Sequence, residues 1–216
     1  MTLFIIQLSI NETTMQKQFF ITGISTDVGK TIVSAIVAES LKATYWKPIQ
    51  AGDLHQLDSG TVEALTENVE ILPEGMTLTQ PMSPHAAARI DGIKIQLSDF
   101  ELPDVEGNFI VEGAGGLMVP LNDDGLMIVD LMEEFDLPTI LVSRHYLGSI
   151  NHTLLSIKEL QNRGLEIEGI IFVGDENKNT EEIILSYSKL KMIARIPEVD
   201  KVDKEFILQE AEKLVF

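Results

Sequence analysis

Short apolar runs alternate along the chain with stretches whose apolar residues recur every three or four positions, the mark of strands alternating with helices. Phe19-Phe20-Ile21-Thr22 predicts a first strand. Residues 31–41 predict a helix with Ile32, Val33, Ile36, Val37 and Leu41 on one face. Residues 44–49 predict a second strand, stopped near its end by Pro48, which has no N–H for a ladder. Phe109-Ile110-Val111 and Thr139-Ile140-Leu141-Val142 are uninterrupted apolar runs, as expected of parallel strands covered on both faces. Residues 151–163 read as a helix with Leu154, Ile157 and Leu160 inward and Gly164 as its stop. Strands are expected over 167–173 and 192–196, and helices over 180–187 and 204–214. The segment 72–102, rich in Pro, Gly and Met, fits no regular element; a long irregular segment in a compact domain is often a functional loop. There is no repeat, low-complexity run or linker. The pattern implies an α/β single domain, a mainly parallel β-sheet flanked by helices.

Length and charge narrow the chemistry. The 216 residues suit one such domain. Sixteen Lys and Arg against 34 Asp and Glu leave a net charge of −18. A surface of that sign repels nucleic acid and anionic membranes, so neither is expected as a partner. An anionic ligand must instead be held by locally concentrated donors and a metal. With no cysteine there is no disulfide and no thiolate chemistry, which fits a cytoplasmic location. The apolar stretch 3–10 is too short to span a bilayer, and no Lys or Arg precedes Lys17 to form a signal-peptide n-region. Met15 stands just before the first strand, so 1–14 is read as an N-terminal extension to a domain over 15–216.

Gly23-Ile24-Ser25-Thr26-Asp27-Val28-Gly29-Lys30-Thr31 lies between the first strand and the first helix. The two glycines let the backbone curl so that successive N–H groups face phosphate oxygens, and the helix start adds its positive dipole end. Lys30 would reach the terminal phosphates and the Thr31 hydroxyl would ligate Mg²⁺, as in a P-loop NTPase of Rossmann-like architecture. Five residues separate the glycines here, where the usual spacing is four.

Other candidates cluster at predicted strand ends, where ligands of open α/β sheets collect. Lys47, in Tyr45-Trp46-Lys47-Pro48-Ile49-Gln50-Ala51-Gly52, is either a phosphate-binding cation or a solvated lysine. Asp58 is either a metal ligand or an acid at a helix start. Glu112, in Glu112-Gly113-Ala114-Gly115-Gly116, is expected directly after the strand 109–111, where a P-loop enzyme places a Mg²⁺ partner. The free N–H groups at Gly148-Ser149-Ile150-Asn151-His152 suit a carboxylate, and ordinary capping by Ser149 or Asn151 is compatible with that. His85, in Ser83-Pro84-His85, is read as a structural loop histidine.

Together these motifs resemble the dethiobiotin synthetase family in its own order, from about Lys17 onward. The loop 23–31 resembles the family's Gly-Thr-Asp-Thr-x-Val-Gly-Lys-Thr, including the five-residue spacing, and residues 112–121 resemble its Glu-Gly-Ala-Gly-Gly-Leu-x-Val-Pro-Leu. The Lys-Pro, Ser-Pro-His and Gly-x-Ile-Asn-His segments correspond likewise. The resemblance implies ATP- and Mg²⁺-dependent carboxylation and ring closure of diaminopelargonic acid with CO₂, giving dethiobiotin, ADP and phosphate. It implies Lys30 and Lys47 as catalytic. It implies an ATP site from Thr26, Asp27, Val28, Gly29, Lys30, Thr31, Glu112, Gly113, Ala114, Gly115, Pro197, Glu198 and Val199. Thr31, Asp58 and Glu112 would hold the metal. Lys47, Ala51, Gly148, Ser149, Ile150 and Asn151 would bind the diamine, the last four across a homodimer interface. Two positions depart from the pattern: Ala51 stands where many members carry Ser or Thr, and Val173 where an asparagine usually reads adenine.

A rival from another class is a ParA/MinD-type ATPase switch, which shares the fold and a deviant P-loop. That class carries a lysine early in the loop; Ile24, Ser25 and Thr26 offer none. The last predicted helix mixes Lys204 and Lys213 with Glu205, Glu210 and Glu212, an ordinary solvated face and no basic membrane anchor. A third reading, a nucleotide-binding module with decayed chemistry, draws on Ala51 and Val173.

Overall fold

The computed structural model describes residues 16–216; the extension expected over 1–14 lies outside the described residues. The elements run β1 (Gln18–Gly23), α1 (Lys30–Leu41), β2 (Thr44–Trp46), β3 (Ile49–Ala51), α2 (Asp58–Leu65), β4 (Glu70–Ile71), β5 (Met76–Leu78), α3 (Pro84–Asp91), β6 (Phe109–Gly116), α4 (Ile128–Phe135), β7 (Thr139–Arg144), α5 (Ser149–Asn162), β8 (Ile167–Val173), α6 (Lys178–Ser188), β9 (Met192–Ile196) and α7 (Lys204–Ala211). Seven strands form one parallel sheet in the order β4-β2-β6-β1-β7-β8-β9. The P-loop leaves β1 at the centre of this sheet, between the ends of β6 and β7, where an open α/β sheet forms its ligand crevice.

The strand side chains alternate between two cores, as the pleat requires. Phe19, Ile21, Tyr45 and Ile110 join α1, α6 and α7 on one face. Phe20, Trp46, Phe109 and Val111 join α3 and α4 on the other. Helix α1 is buried almost all round, from Val33 through Ala38, because it lies between the sheet and α7. Its expected one-sided apolar face is therefore too narrow a description.

Several expectations need correction. The strand expected over 44–49 is two strands: β2 ends at Trp46, and after Lys47-Pro48 the chain leaves the main sheet to pair β3 with β5. Pro48 causes the break, having no N–H to continue the ladder. Glu112 does not follow its strand but lies within β6, level with Ile21 of β1. The glycines after it continue β6 as far as Gly116, which lies beside Gly23 past a shift in register, with Gly115 at φ 67. The segment 72–102 contains β5, α3 and a short 3₁₀ turn at Leu97–Asp99, and it sends Leu78, Ala87, Ala88, Ile95 and Phe100 into the second core. Helix α4 stands where no element was expected, and α2 begins at Asp58, the helix start that was one of its two readings.

Candidate active site

A cavity of ≈ 850 Å³ opens at the carboxyl edge of the sheet. The P-loop forms its floor. Gly29 sits at φ 91, a left-handed value that an L side chain rarely adopts, and caps α1 there. Lys30 bends back over its own loop and donates to the Ser25 carbonyl at 3.2 Å. It is 8% exposed, and burial lowers its pKa; the attraction of Glu112 partly offsets that, while Lys47 adds to it.

The centre of the site is a buried carboxylate. Glu112 is 0% exposed. Its Oε1 accepts from the Thr31 hydroxyl and from Lys47 Nζ, both at 2.9 Å. Its Oε2 accepts from the Tyr45 hydroxyl, also at 2.9 Å. Lys47 bridges on to Asp58 at 2.5 Å. Burial acts against the charge on Lys47, but Glu112 and Asp58 outweigh it and hold the pKa above the ordinary lysine value. Lys47 is therefore a charged ammonium fixed between two carboxylates, and the solvated alternative does not describe it. The Pro48 break turns the chain so that Ala51 reaches the cavity wall. Gly52 then passes so near Pro81 that a Cβ would lie 2.3 Å from its Cα, which ties the Lys-Pro segment to residues 81–84.

Thr31, Asp58 and Glu112 supply a hydroxyl and two carboxylates around this point. Such hard oxygen donors fit Mg²⁺, which takes few protein ligands and fills its octahedron with water and phosphate. Among the described residues no three His, Cys, Asp or Glu side chains cluster as a metal cage, so a cation here depends on the hydroxyl and on the ligand's own oxygens.

Of the expected nucleotide residues, Thr26, Asp27, Gly29, Lys30, Thr31, Glu112, Ala114, Gly115, Pro197, Glu198 and Val199 line the cavity. Two do not. The Val28 side chain is buried in the core, and Gly113 turns toward the Phe20 ring, where a Cβ would come within 2.7 Å. Val173 does line the cavity, facing Gly29 with apolar carbons. Gly148 is the N-cap of α5, and Gly148, Ser149, Ile150 and Asn151 are not among the residues that line the cavity. His85 lies on a separate, smaller cavity, its backbone N–H donating to the Pro120 carbonyl.

Sequence reasoning missed two polar groups. Arg144 ends β7, donates to the Asp27 carbonyl at 3.1 Å and pairs with Glu198 at 2.5 Å, linking the P-loop to the 197–199 segment. The signal available was a cation at a strand's carboxyl end, the argument applied to Lys47. Tyr45 is the other; within an apolar strand its hydroxyl gave no sign.

A family model described as an AAA domain matches residues 17–206. The chain is 55% identical over 201 residues to a protein of Christiangramia forsetii named ATP-dependent dethiobiotin synthetase BioD, covering 92% of this chain and 96% of that one. It is 48% identical to the protein of the same name from Cytophaga hutchinsonii, covering 92% and 97%. Among solved structures, the septum site-determining protein MinD with Mg-ADP from Pyrococcus horikoshii superposes with a TM-score of 0.55 at 16% identity, covering 92% of this chain and 96% of that one. The last likeness is one of fold.

Proposed function

The chain belongs to the ATP-dependent dethiobiotin synthetases, cyclo-ligases that catalyse the ATP-dependent ring closure of biotin biosynthesis, and from that premise we propose how its residues divide the work. The observation that carries the proposal is the cluster of Lys47, Glu112, Thr31 and Asp58 at the mouth of the P-loop. One amine of diaminopelargonic acid adds to CO₂ and loses a proton, giving a carbamate. A carbamate oxygen attacks the γ-phosphorus of ATP and ADP leaves. The second amine attacks the carbamate carbon, the ureido ring closes and phosphate departs. No protein nucleophile is needed, so catalysis rests on positioning and charge.

Lys30 binds the terminal phosphates from the P-loop. Lys47 stabilises charge on the transferring phosphoryl group and its carbamate acceptor, while Ala51 bounds the diamine without a hydroxyl. Thr31, Asp58 and Glu112 hold Mg²⁺, which supplies charge neutralisation on the phosphates when bound. Arg144 keeps the 197–199 segment against the P-loop at the base end. Among the described residues no helix is long and apolar enough to cross a membrane.

The diamine's carboxylate is assigned to Gly148, Ser149, Ile150 and Asn151 of a second subunit. Support comes from their absence from the lining of their own cavity and from exposed apolar side chains nearby in sequence: Leu147 fully, Leu155 for more than half, Tyr146 and Ile150 for little more than a third. Subunit mixing tests this. Asn151 is exposed, so Asn151→Trp blocks the helix start without disturbing the core. Lys30→Ala disables the P-loop. Random reassortment of the two inactive variants makes half the dimers mixed, each with one intact site of two, and activity returns to about a quarter of wild type. No recovery despite verified exchange refutes the shared site.

A further inference from the structure

Glu112 has two oxygens with different neighbours. Oε1 faces the site, where Thr31 and Lys47 donate to it. Oε2 faces the core, and the Tyr45 hydroxyl donates to it. The geometry follows from the sheet. Tyr45 of β2 pairs with Ile110 of β6, and side chains two residues apart share a face. Glu112 therefore points to the same side of the sheet as Ile110 and Tyr45, and the phenol lies along the strand direction toward it. Both residues are 0% exposed, so no water stands ready to replace the phenol as donor. A neutral phenol can only donate to a carboxylate oxygen, so the hydroxyl is the donor of this bond.

A carboxylate can rotate about its last bond. With Oε2 fixed from behind, Oε1 is presented to the P-loop hydroxyl and to whatever cation meets it. Without that donor, the orphaned oxygen turns toward Lys47 and Thr31, the remaining donors within reach. We propose that the Tyr45 hydroxyl is a positioning group that sets the rotation of the Glu112 carboxylate, and so the affinity of the site for a divalent cation carried by nucleotide. The inference rests on the reading of Glu112 as a metal-facing ligand. Groups of this kind, one bond behind a ligand, typically change metal affinity or activity by about 10- to 100-fold when removed.

The test is calorimetric binding of ADP, with Mg²⁺ and with EDTA, to wild type, Tyr45→Phe, Glu112→Gln and the double variant. Tyr45→Phe deletes one oxygen and keeps the ring in the core. The Mg²⁺-dependent gain in ADP affinity is expected to fall about tenfold or more in Tyr45→Phe, while affinity in EDTA stays within about twofold. In the Glu112→Gln background, adding Tyr45→Phe is expected to cause no further loss of that gain, since the carboxylate it orients is gone. A merely structural phenol would lower the melting temperature and leave the gain intact, and that result overturns the proposal. A loss from Tyr45→Phe that persists undiminished in the Glu112→Gln background also overturns it. If Tyr45→Phe is too unstable to titrate at 25 °C, the same titrations are made at lower temperature with the same two criteria. If Glu112→Gln itself leaves the gain unchanged, the metal-facing reading of Glu112 falls, and this inference with it. If Glu112→Gln abolishes the gain and Tyr45→Phe does not touch it, only the role of Tyr45 falls.

Discussion

Replacing Lys47 with methionine keeps most of the buried stem and removes the charge. Lys47 is 4% exposed and its ammonium is the only cation hydrogen-bonded to Glu112 among the described residues. Breaking a buried ion pair by removing one partner costs about 3–5 kcal/mol, because the other charge stays buried. Two features place Lys47→Met at the lower end. Asp58 is 32% exposed and can be rehydrated, and Glu112 keeps the donors Tyr45 and Thr31. The expected loss is about 3 kcal/mol, or roughly 6–12 °C in melting temperature for a domain of this size. Turnover is expected to fall on the order of 10²–10³, the usual effect of losing a donor aimed at developing charge. Urea denaturation and steady-state turnover measure the two losses separately. Adding Glu112→Gln to Lys47→Met removes the orphaned charge, so it should restore much of the stability and none of the activity. A Lys47→Met variant as stable as wild type, or one turning over within a few-fold of it, refutes the reasoning.

Two other outcomes follow from the base end of the cavity. Glu181 accepts from Arg195 and contacts His145 beneath this wall, and the Arg195 hydrogen bond leads in holding its pKa down to about 2, against the opposing effect of burial. A lowered carboxylate pKa stabilises the fold above the unfolded value near 4.5 and loses that contribution as pH falls toward 2, so Glu181→Gln should cost on the order of 3 kcal/mol at pH 7 and progressively less below pH 4.5, read by denaturation across pH. Val173 offers no hydrogen-bonding group to a base edge, so kcat/KM should favour ATP over GTP or CTP by only about tenfold; a far stronger preference shows that backbone groups of the 197–199 segment read the base.

The order of strands and helices was legible where apolar runs were uninterrupted, as in Ile140-Leu141-Val142 of β7. The P-loop was legible because a phosphate cradle needs glycines, a lysine and a hydroxyl at fixed offsets, which leaves a local trace. The centre of the site was only half legible. Glu112, Lys47 and Asp58 could be named, but the Glu112–Lys47 pair joins residues 65 positions apart and depends on β2 lying beside β6. Strand order is a long-range choice that no local pattern encodes. Tyr45 was hidden for the same reason, since its spacing marks it as core and only the neighbouring strand gives its hydroxyl a purpose. The glycines after Glu112 remain in β6, where the lack of a side chain lets Gly116 lie close to the Gly23 carbonyl. Helix α4 left a clear signature in Ile128, Leu131, Met132 and Phe135, an i, i+3, i+4, i+7 face that periodicity alone could have found.

The central claim is that phosphoryl transfer in this cavity serves ring closure of a diamine. Phosphate and dethiobiotin are followed together, with ATP, Mg²⁺ and bicarbonate, in the presence and absence of 7,8-diaminononanoate. The expected result is phosphate release that requires the diamine and matches dethiobiotin formed, one for one, and that DNA and lipid vesicles leave unchanged. Phosphate release indifferent to the diamine, or stimulated instead by DNA or vesicles, contradicts it.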